Sequence, residues 1–331
     1  MWRSVCEPKL AWLSKVIPSM SFLSIARLAL LSAMVTAAFA NAPGAIAEPY
    51  FQGTQSCSEC HKDEYKAWEA TKHFTSYRTA HKAEGAKKII TAVGGKKNMK
   101  RNDKCNICHY STKQKKAGDK AKVKYGPSCE SCHGASSDWE PIHSDFGGKN
   151  VKREDETPEH KTQRVAAAAA AGLAWASMAY DIAVKCMKCH GLARPEINGE
   201  AFAKMLEAGH RINQSFEIVM FSQGRMRHWL EKRSPAQLAN LFIAGQAAKL
   251  VSATEAVAVT GDARYKAAQI QRAADATATL RAVPQAAALI SSPSDATARE
   301  LMRAIGRQDL SGRVGGLIPC ASPDKENLRQ C

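Results

Sequence analysis

Four short stretches of the chain repeat one pattern: Cys57-x-x-Cys60-His61, Cys105-x-x-Cys108-His109, Cys129-x-x-Cys132-His133 and Cys186-x-x-Cys189-His190. Two thiols three positions apart, followed at once by an imidazole, form the attachment signal for haem c. The spacing has a physical reason. The two thiols reach the two vinyl groups on one edge of a porphyrin. The next residue then lies under the ring centre, where its imidazole ligates iron. Three other chemistries use paired cysteines. The twenty residues between Cys108 and Cys129 fit a four-cysteine zinc site. Thioredoxin-like redox pairs and ordinary disulfides are the other two. None of these accounts for a histidine directly after every pair. The pattern therefore predicts four covalently bound haem c groups, with His61, His109, His133 and His190 as proximal ligands. Of the eleven cysteines, Cys6 lies in the leader, and Cys320 and Cys331 pair with each other by default.

Four iron atoms create a demand for sixth ligands. The remaining histidines are His73, His81, His143, His160, His210 and His228. His143 follows His133 by ten residues, too close to reach across its own haem, so it points to a neighbouring one. The stretch "KDEYKAWEATKHFTSYRTAH" reads as one helix over 62–81. Tyr65 and Trp68 are three apart, and His73, Tyr77 and His81 recur every four, which makes one face aromatic and imidazole-rich. An aromatic core stripe is the bland alternative.

At these residues the chain resembles the tetrahaem cytochrome c-554 family, electron carriers of nitrogen-oxidising bacteria. Trp68, Thr71 and His73 match the family's run after the first motif. Cys129 to Gly134 and His143 match its third motif and trailing histidine. The resemblance spans roughly residues 54–232. It implies that His143 completes the first haem and His73 the third. It also implies that a histidine after the last motif completes the fourth, with His228 favoured by position and His210 as rival. The second haem is then left without a strong sixth ligand.

The elements that hold these sites are expected to be helical, with extensive loops: a mainly α, multihaem cytochrome c fold with a haem-packed core. Residues 1–47 read as a signal peptide. Arg27 precedes the apolar run "LALLSAMVTAAFA", small-x-small sites follow, and cleavage is expected after Ala47. The run is too short for a comfortable membrane span, although an uncleaved anchor is the alternative. Residues 48–233 form the haem domain, too little protein to wrap four porphyrins separately, so the haems pack on one another. The segment 165–185 is a strong helix former leading into the last motif. Residues 234–331 form an Ala-rich helical appendage. It opens at Ser234-Pro235-Ala236-Gln237 with capping-box spacing and breaks at Gly261, Pro284 and Ser292-Pro293.

The formal charge is +16, and residues 82–124 carry fourteen Lys or Arg against three acids. This run is either a solvated loop or a docking patch for an acidic redox partner. An exported haem protein argues against nucleic acid as the partner. The leading functional reading is a periplasmic electron-transfer cytochrome with mostly bis-histidine haems of low to intermediate potential. An enzyme acting on a small nitrogen or sulfur oxide at a five-coordinate haem is one rival. No Cys-x-x-Cys-Lys variant occurs, which argues against the multihaem nitrite reductase class. The other rival is a cytochrome subunit held in a larger complex by its C-terminal helices.

Overall fold

The computed structural model describes residues 48–212, 216–222 and 233–319. Residues 1–47, read above as a signal peptide, and His228, Cys320 and Cys331 lie outside the described residues. Chain contacts separate Met1–Ala47 from Glu48–Cys331. The second unit holds all four motifs together with the C-terminal helices. Its described residues are mainly helical, as the composition and motifs predict.

The first part of this unit is built from short helices. A 3₁₀ turn, Ser56–Glu59, carries Cys57. It leads into α1 (Lys62–Glu69) and α2 (Lys72–Thr79). The single helix expected over 62–81 is broken at Ala70 and Thr71. Thr71 is extended, and its hydroxyl accepts the Phe74 amide, so it caps a new helix. The Trp68 indole is buried and donates to the Pro127 carbonyl at 2.8 Å, which ties α1 to the approach to the third motif.

Next come α3 (Ala86–Val93) and α4 (Asp103–His109). The basic stretch after α4 belongs to the run read above as either a solvated loop or a docking patch. It forms an antiparallel pair, β1 (Ser111–Lys113) with β2 (Lys122–Tyr125). Thr112 sits opposite Val123, a β-branched pairing that suits a pleated surface. The third motif forms α5 (Cys129–His133), opened by a Ser128–Ser131 capping box. Then follow α6 (Glu140–His143), α7 (Pro158–Ala170) and α8 (Ala179–His190). The one helix expected over 165–185 is therefore split. Gly172 takes φ +103°, a conformation glycine adopts without steric cost, and the chain turns there before α8 begins.

The remaining helices are α9 (Gly199–Glu207), α10 (Ile218–Ser222), α11 (Pro235–Ala258), α12 (Ala263–Leu280), α13 (Ala287–Ser291), α14 (Asp295–Ile305) and α15 (Ser311–Val314). The capping box at Ser234 and Gln237 forms as the spacing predicts, with reciprocal bonds of 2.8 and 3.2 Å. Helix α11 is buried without a break from Leu241 to Val251, with Gln246 and Lys249 among mostly apolar residues, so it is central. Its neighbours include α8, α10, α12, α14 and α15. One apolar cluster joins Ala183 and Met187 of α8 to Phe242 and Leu250 of α11, Leu280 of α12 and Leu301 of α14. The helix bearing the fourth motif thus shares its core with the C-terminal helices.

Candidate haem-attachment sites

Three of the four motif histidines end a helix: His109 ends α4, His133 ends α5 and His190 ends α8. Residues three and four apart share a helix face. Each Cys-x-x-Cys-His therefore projects both thiols and the imidazole to one side. In the first motif Cys57 lies in the 3₁₀ turn, and His61 stands at the entry to α1. All eight motif thiols are free.

The thiols also give the spatial order of the motifs. Cys57 shares a hydrogen bond with Cys129, and Cys108 with Cys189. Cys132 lies close enough to feel the charge of Cys189, and Cys186 that of Cys132. The motifs form a row: first, third, fourth, second. In each thiol contact one member is favoured as thiolate. Cys129 is lowered to about 7 by the Cys57 hydrogen bond, and Cys189 to about 7 by the Cys108 bond. Burial pushes Cys105 and Cys132 up to about 11. This cross-pairing is not the grouping a zinc site on Cys105, Cys108, Cys129 and Cys132 needs. Among the described residues, no cluster of three or more His, Cys, Asp or Glu side chains converges to hold a metal ion.

The imidazoles form pairs. His61 and His143 have ring centroids 5.9 Å apart, His190 and His73 5.9 Å, and His109 and His210 6.0 Å. Two metal–nitrogen bonds of about 2.0–2.1 Å, plus half a ring on each side, separate the centroids of trans imidazoles by roughly 6 Å. The pairs therefore have the spacing for one iron each. Burial is the leading cause that holds His109, His143 and His190 down to about 4, and it also lowers His73, His133 and His210. These rings are neutral near pH 7, which is the form that ligates a metal.

The hydrogen bonds select the ligating nitrogen. His133 Nδ1 meets the Ala174 carbonyl at 2.8 Å, and His210 Nδ1 the Arg211 carbonyl at 3.0 Å. A carbonyl only accepts, so Nδ1 carries the proton and Nε2 keeps its lone pair. His143 Nδ1 is buried with no hydrogen-bond partner. A buried polar atom without a partner is costly, and a metal bound at Nδ1 itself would relieve it. Free thiol pairs, neutral imidazoles at metal-spanning distance and this orphan nitrogen together fit covalent haem.

The ring pairs can be set beside the ligand pattern that the resemblance implies. His143 faces His61, as the resemblance implies. His73 faces His190 of the fourth motif instead of His133 of the third. His210 faces His109, so the second motif is provided with an imidazole and His210 is not beside the fourth. His160 Nδ1 is engaged by Glu156 at 2.8 Å, and His81 is exposed.

Sequence spacing missed the groups that hold His143. Arg164, within α7, donates Nη1 to the His143 carbonyl at 2.9 Å. Its other nitrogens grip Glu156 in a fork at 2.7 and 2.6 Å. Arg164 is the main reason the Glu156 carboxyl is lowered to about 2. Trp139 and Trp175 flank the His143 ring at 5.6 and 5.5 Å. An arginine ahead of an alanine run gives no linear hint of this role.

Residues 56–134 match the family model described as cytochrome c554 and c-prime. This segment is similar to the cytochrome c554 and c-prime family. The matched residues contain the first three motifs and end before the fourth. The match supports a c-type cytochrome working in electron transfer, with covalently bound haem c. No curated protein and no solved structure matches the chain. Trp68 and Thr71, which carried the resemblance after the first motif, act here as an indole anchor and a helix cap. No described helix is long and apolar enough to cross a membrane.

Proposed function

We propose that the chain is an exported, periplasmic tetrahaem cytochrome that relays electrons between redox partners. The observation that carries this reading is the set of three imidazole pairs at 5.9–6.0 Å, each joining one motif histidine to a histidine from elsewhere in the chain. When bound, haem supplies a one-electron Fe(III)/Fe(II) couple whose potential follows its ligands, hydrogen bonds and burial. The chain's part is to hold and order the sites. His61 with His143, His109 with His210 and His190 with His73 provide two imidazoles each. The motif thiols set the attachment sites in one continuous row, which suits stepwise transfer. Cleavage after Ala47 would leave residues 48–331 as the mature protein.

The partner is expected to be acidic at its docking face. Most of the fourteen cationic residues between 82 and 124 are exposed. Lys100 lies over the Tyr77 ring at 3.5 Å, and Lys104 donates to the Val93 carbonyl at 2.7 Å. Opposite charge steers association, and salt screens it over about 8 Å at physiological ionic strength. The second-order rate of reduction by an acidic donor protein is expected to fall as salt rises. A rate that is flat or rises with salt contradicts this docking surface. The electron count is tested by reductive titration, with four electrons per chain expected and fewer contradicting the tetrahaem reading.

One observation favours a second activity, the binding of a small ligand at the third motif. Among the described residues, no imidazole pairs with His133 as His143, His73 and His210 pair with the other three. Carbon monoxide added to the reduced protein is expected to bind at one equivalent per four haems, with binding lost on His133→Ala. Absence of binding leaves electron relay as the sole haem chemistry of this reading.

A further inference from the structure

Helix α12 lies outside the segment matched to the cytochrome family, yet three of its buried side chains bond to the fourth motif. Tyr265 donates its hydroxyl to the Leu192 carbonyl. Gln269 donates Nε2 to the Gly191 carbonyl at 3.0 Å. Arg272 donates Nη1 to the same carbonyl at 3.2 Å and to Gln269 Oε1 at 2.6 Å. Its Nη2 reaches Met187 Sδ at 3.4 Å and Ser252 Oγ at 3.3 Å. Met187 stands between the two cysteines of the motif, and Gly191 follows its histidine. The three side chains occupy positions i, i+4 and i+7, one face of α12.

The arrangement is more than packing, because Arg272 carries a charge. It is 1 % exposed. None of its contacts is to a carboxylate; they are a carbonyl, an amide oxygen, a thioether and a hydroxyl. Burial lowers its pKa to about 10, which still leaves it protonated at neutral pH. Another buried cation, Lys249, has Asp275 at 3.8 Å. Arg272 therefore holds an uncompensated positive charge in a low-dielectric setting, at the C-terminal end of the helix whose last residue is His190. The carbonyl end of α8 tolerates that charge, but nothing in the contacts cancels it.

We infer that Arg272 is a tuning residue for the fourth haem, where its fixed positive charge favours the reduced iron and sets that haem's potential above what its ligands alone would give. The physical step is electrostatic. Oxidation of the iron adds one positive charge to the site, and a buried cation nearby opposes it more strongly than a solvated one would. The C-terminal helices then set the energy of one site in the row, in addition to covering it. The inference rests on the reading that the fourth motif carries haem, so the haem count of each variant is measured first by intact mass.

The test is an optical redox titration of the four-haem protein. Arg272→Gln is expected to lower one of the four potentials, shifting that site's reduction equilibrium about tenfold, which is about 59 mV for a one-electron couple. Arg272→Lys keeps the charge and is expected to stay close to the unsubstituted protein. Ser252→Asp keeps Arg272 and sets a carboxylate beside Nη2, so it is expected to lower the same potential. An Arg272→Gln protein with four haems and four unchanged potentials overturns the inference. Equal shifts in the Gln and Lys variants also overturn it, because shape and not charge would then be the cause. If Arg272→Gln does not take up four haems, Ser252→Asp decides: a lowered potential supports the inference and an unchanged set overturns it. A chain with no haem at Cys186 and Cys189 in the unsubstituted protein instead refutes the tetrahaem reading beneath it.

Discussion

Helices α2 and α11 are built on opposite plans. Helix α11 buries every residue from Leu241 to Val251 and stands at the centre of an aliphatic cluster. Helix α2 carries His73 and counts no residue among the fully buried. The same contrast runs through the regions around them. The C-terminal helices bury Leu280, Leu289, Leu301 and Ile305 against one another. Around the first three motifs the buried apolar residues form smaller groups, with Val93, Met99 and Tyr110 joined to Phe202 and Met205 in one and Trp139 joined to Leu173 in another. Burial of apolar area is the main favourable term in folding. One region therefore supplies that term from one large cluster of its own side chains, and in our reading the other supplements its smaller clusters with the cofactor.

Removal of haem breaks this comparison most sharply. Protein made without haem attachment is expected to lose amide-exchange protection over residues 62–143 while α11, α12 and α14 stay protected. Equal protection in both regions would contradict the division. The next effect lies in the aliphatic core. Leu280 is fully buried, and Leu280→Ala is expected to cost about 2–5 kcal/mol by denaturant unfolding, with the haem spectrum unchanged under native conditions. A spectral change there would mean that the two regions are coupled more tightly than this contrast allows.

Smaller effects sharpen the comparison at the ligands and caps. Arg164→Ala removes the bond to the His143 carbonyl and leaves Glu156 without its fork. A high-spin signal from one further haem, beyond that of the third motif, is expected in the paramagnetic resonance spectrum. The link to pH has a definite sign. The Glu156 carboxyl is depressed to about 2, so its contribution is complete above the ordinary carboxylate range near 4.3 and is lost as pH falls from there towards 2. The same additional high-spin signal should therefore appear only as pH falls through about 2, and a spectrum unchanged below that pH would exclude this hold on His143. The smallest effect is Ser234→Ala, which removes one half of the α11 capping box and is expected to cost about 1 kcal/mol with no change at any haem.

How much of this was readable in the sequence depended on whether the determinant was local. The four motifs, the capping box at Ser234 and the breaks after α11 and α12 are set by residues within a few positions of each other. The site pairings are not. Spacing assigned His143 to a neighbouring motif because only ten residues separate it from His133. Which proximal histidine His73 and His210 face depends on the packing of α2, α4 and α8, and no linear period encodes that. Two helix predictions failed for one reason. Thr71 and Gly172 sit inside strongly helical stretches, and a cap or a left-handed glycine overrides propensity at a single position. The basic run after α4 looked like a loop because its lysines hide the alternation around Thr112 and Val123. The role of α12 at the fourth motif was invisible, since Gln269 and Arg272 act on backbone carbonyls some eighty positions away.

The central claim is that four motifs carry four covalent haems on a chain that begins after its leader. Intact mass of the protein, produced with cytochrome maturation machinery, tests it most directly. The expected result is the mass of residues 48–331 plus four haem groups. A mass with fewer haems, or a chain carrying zinc in their place, would contradict the account.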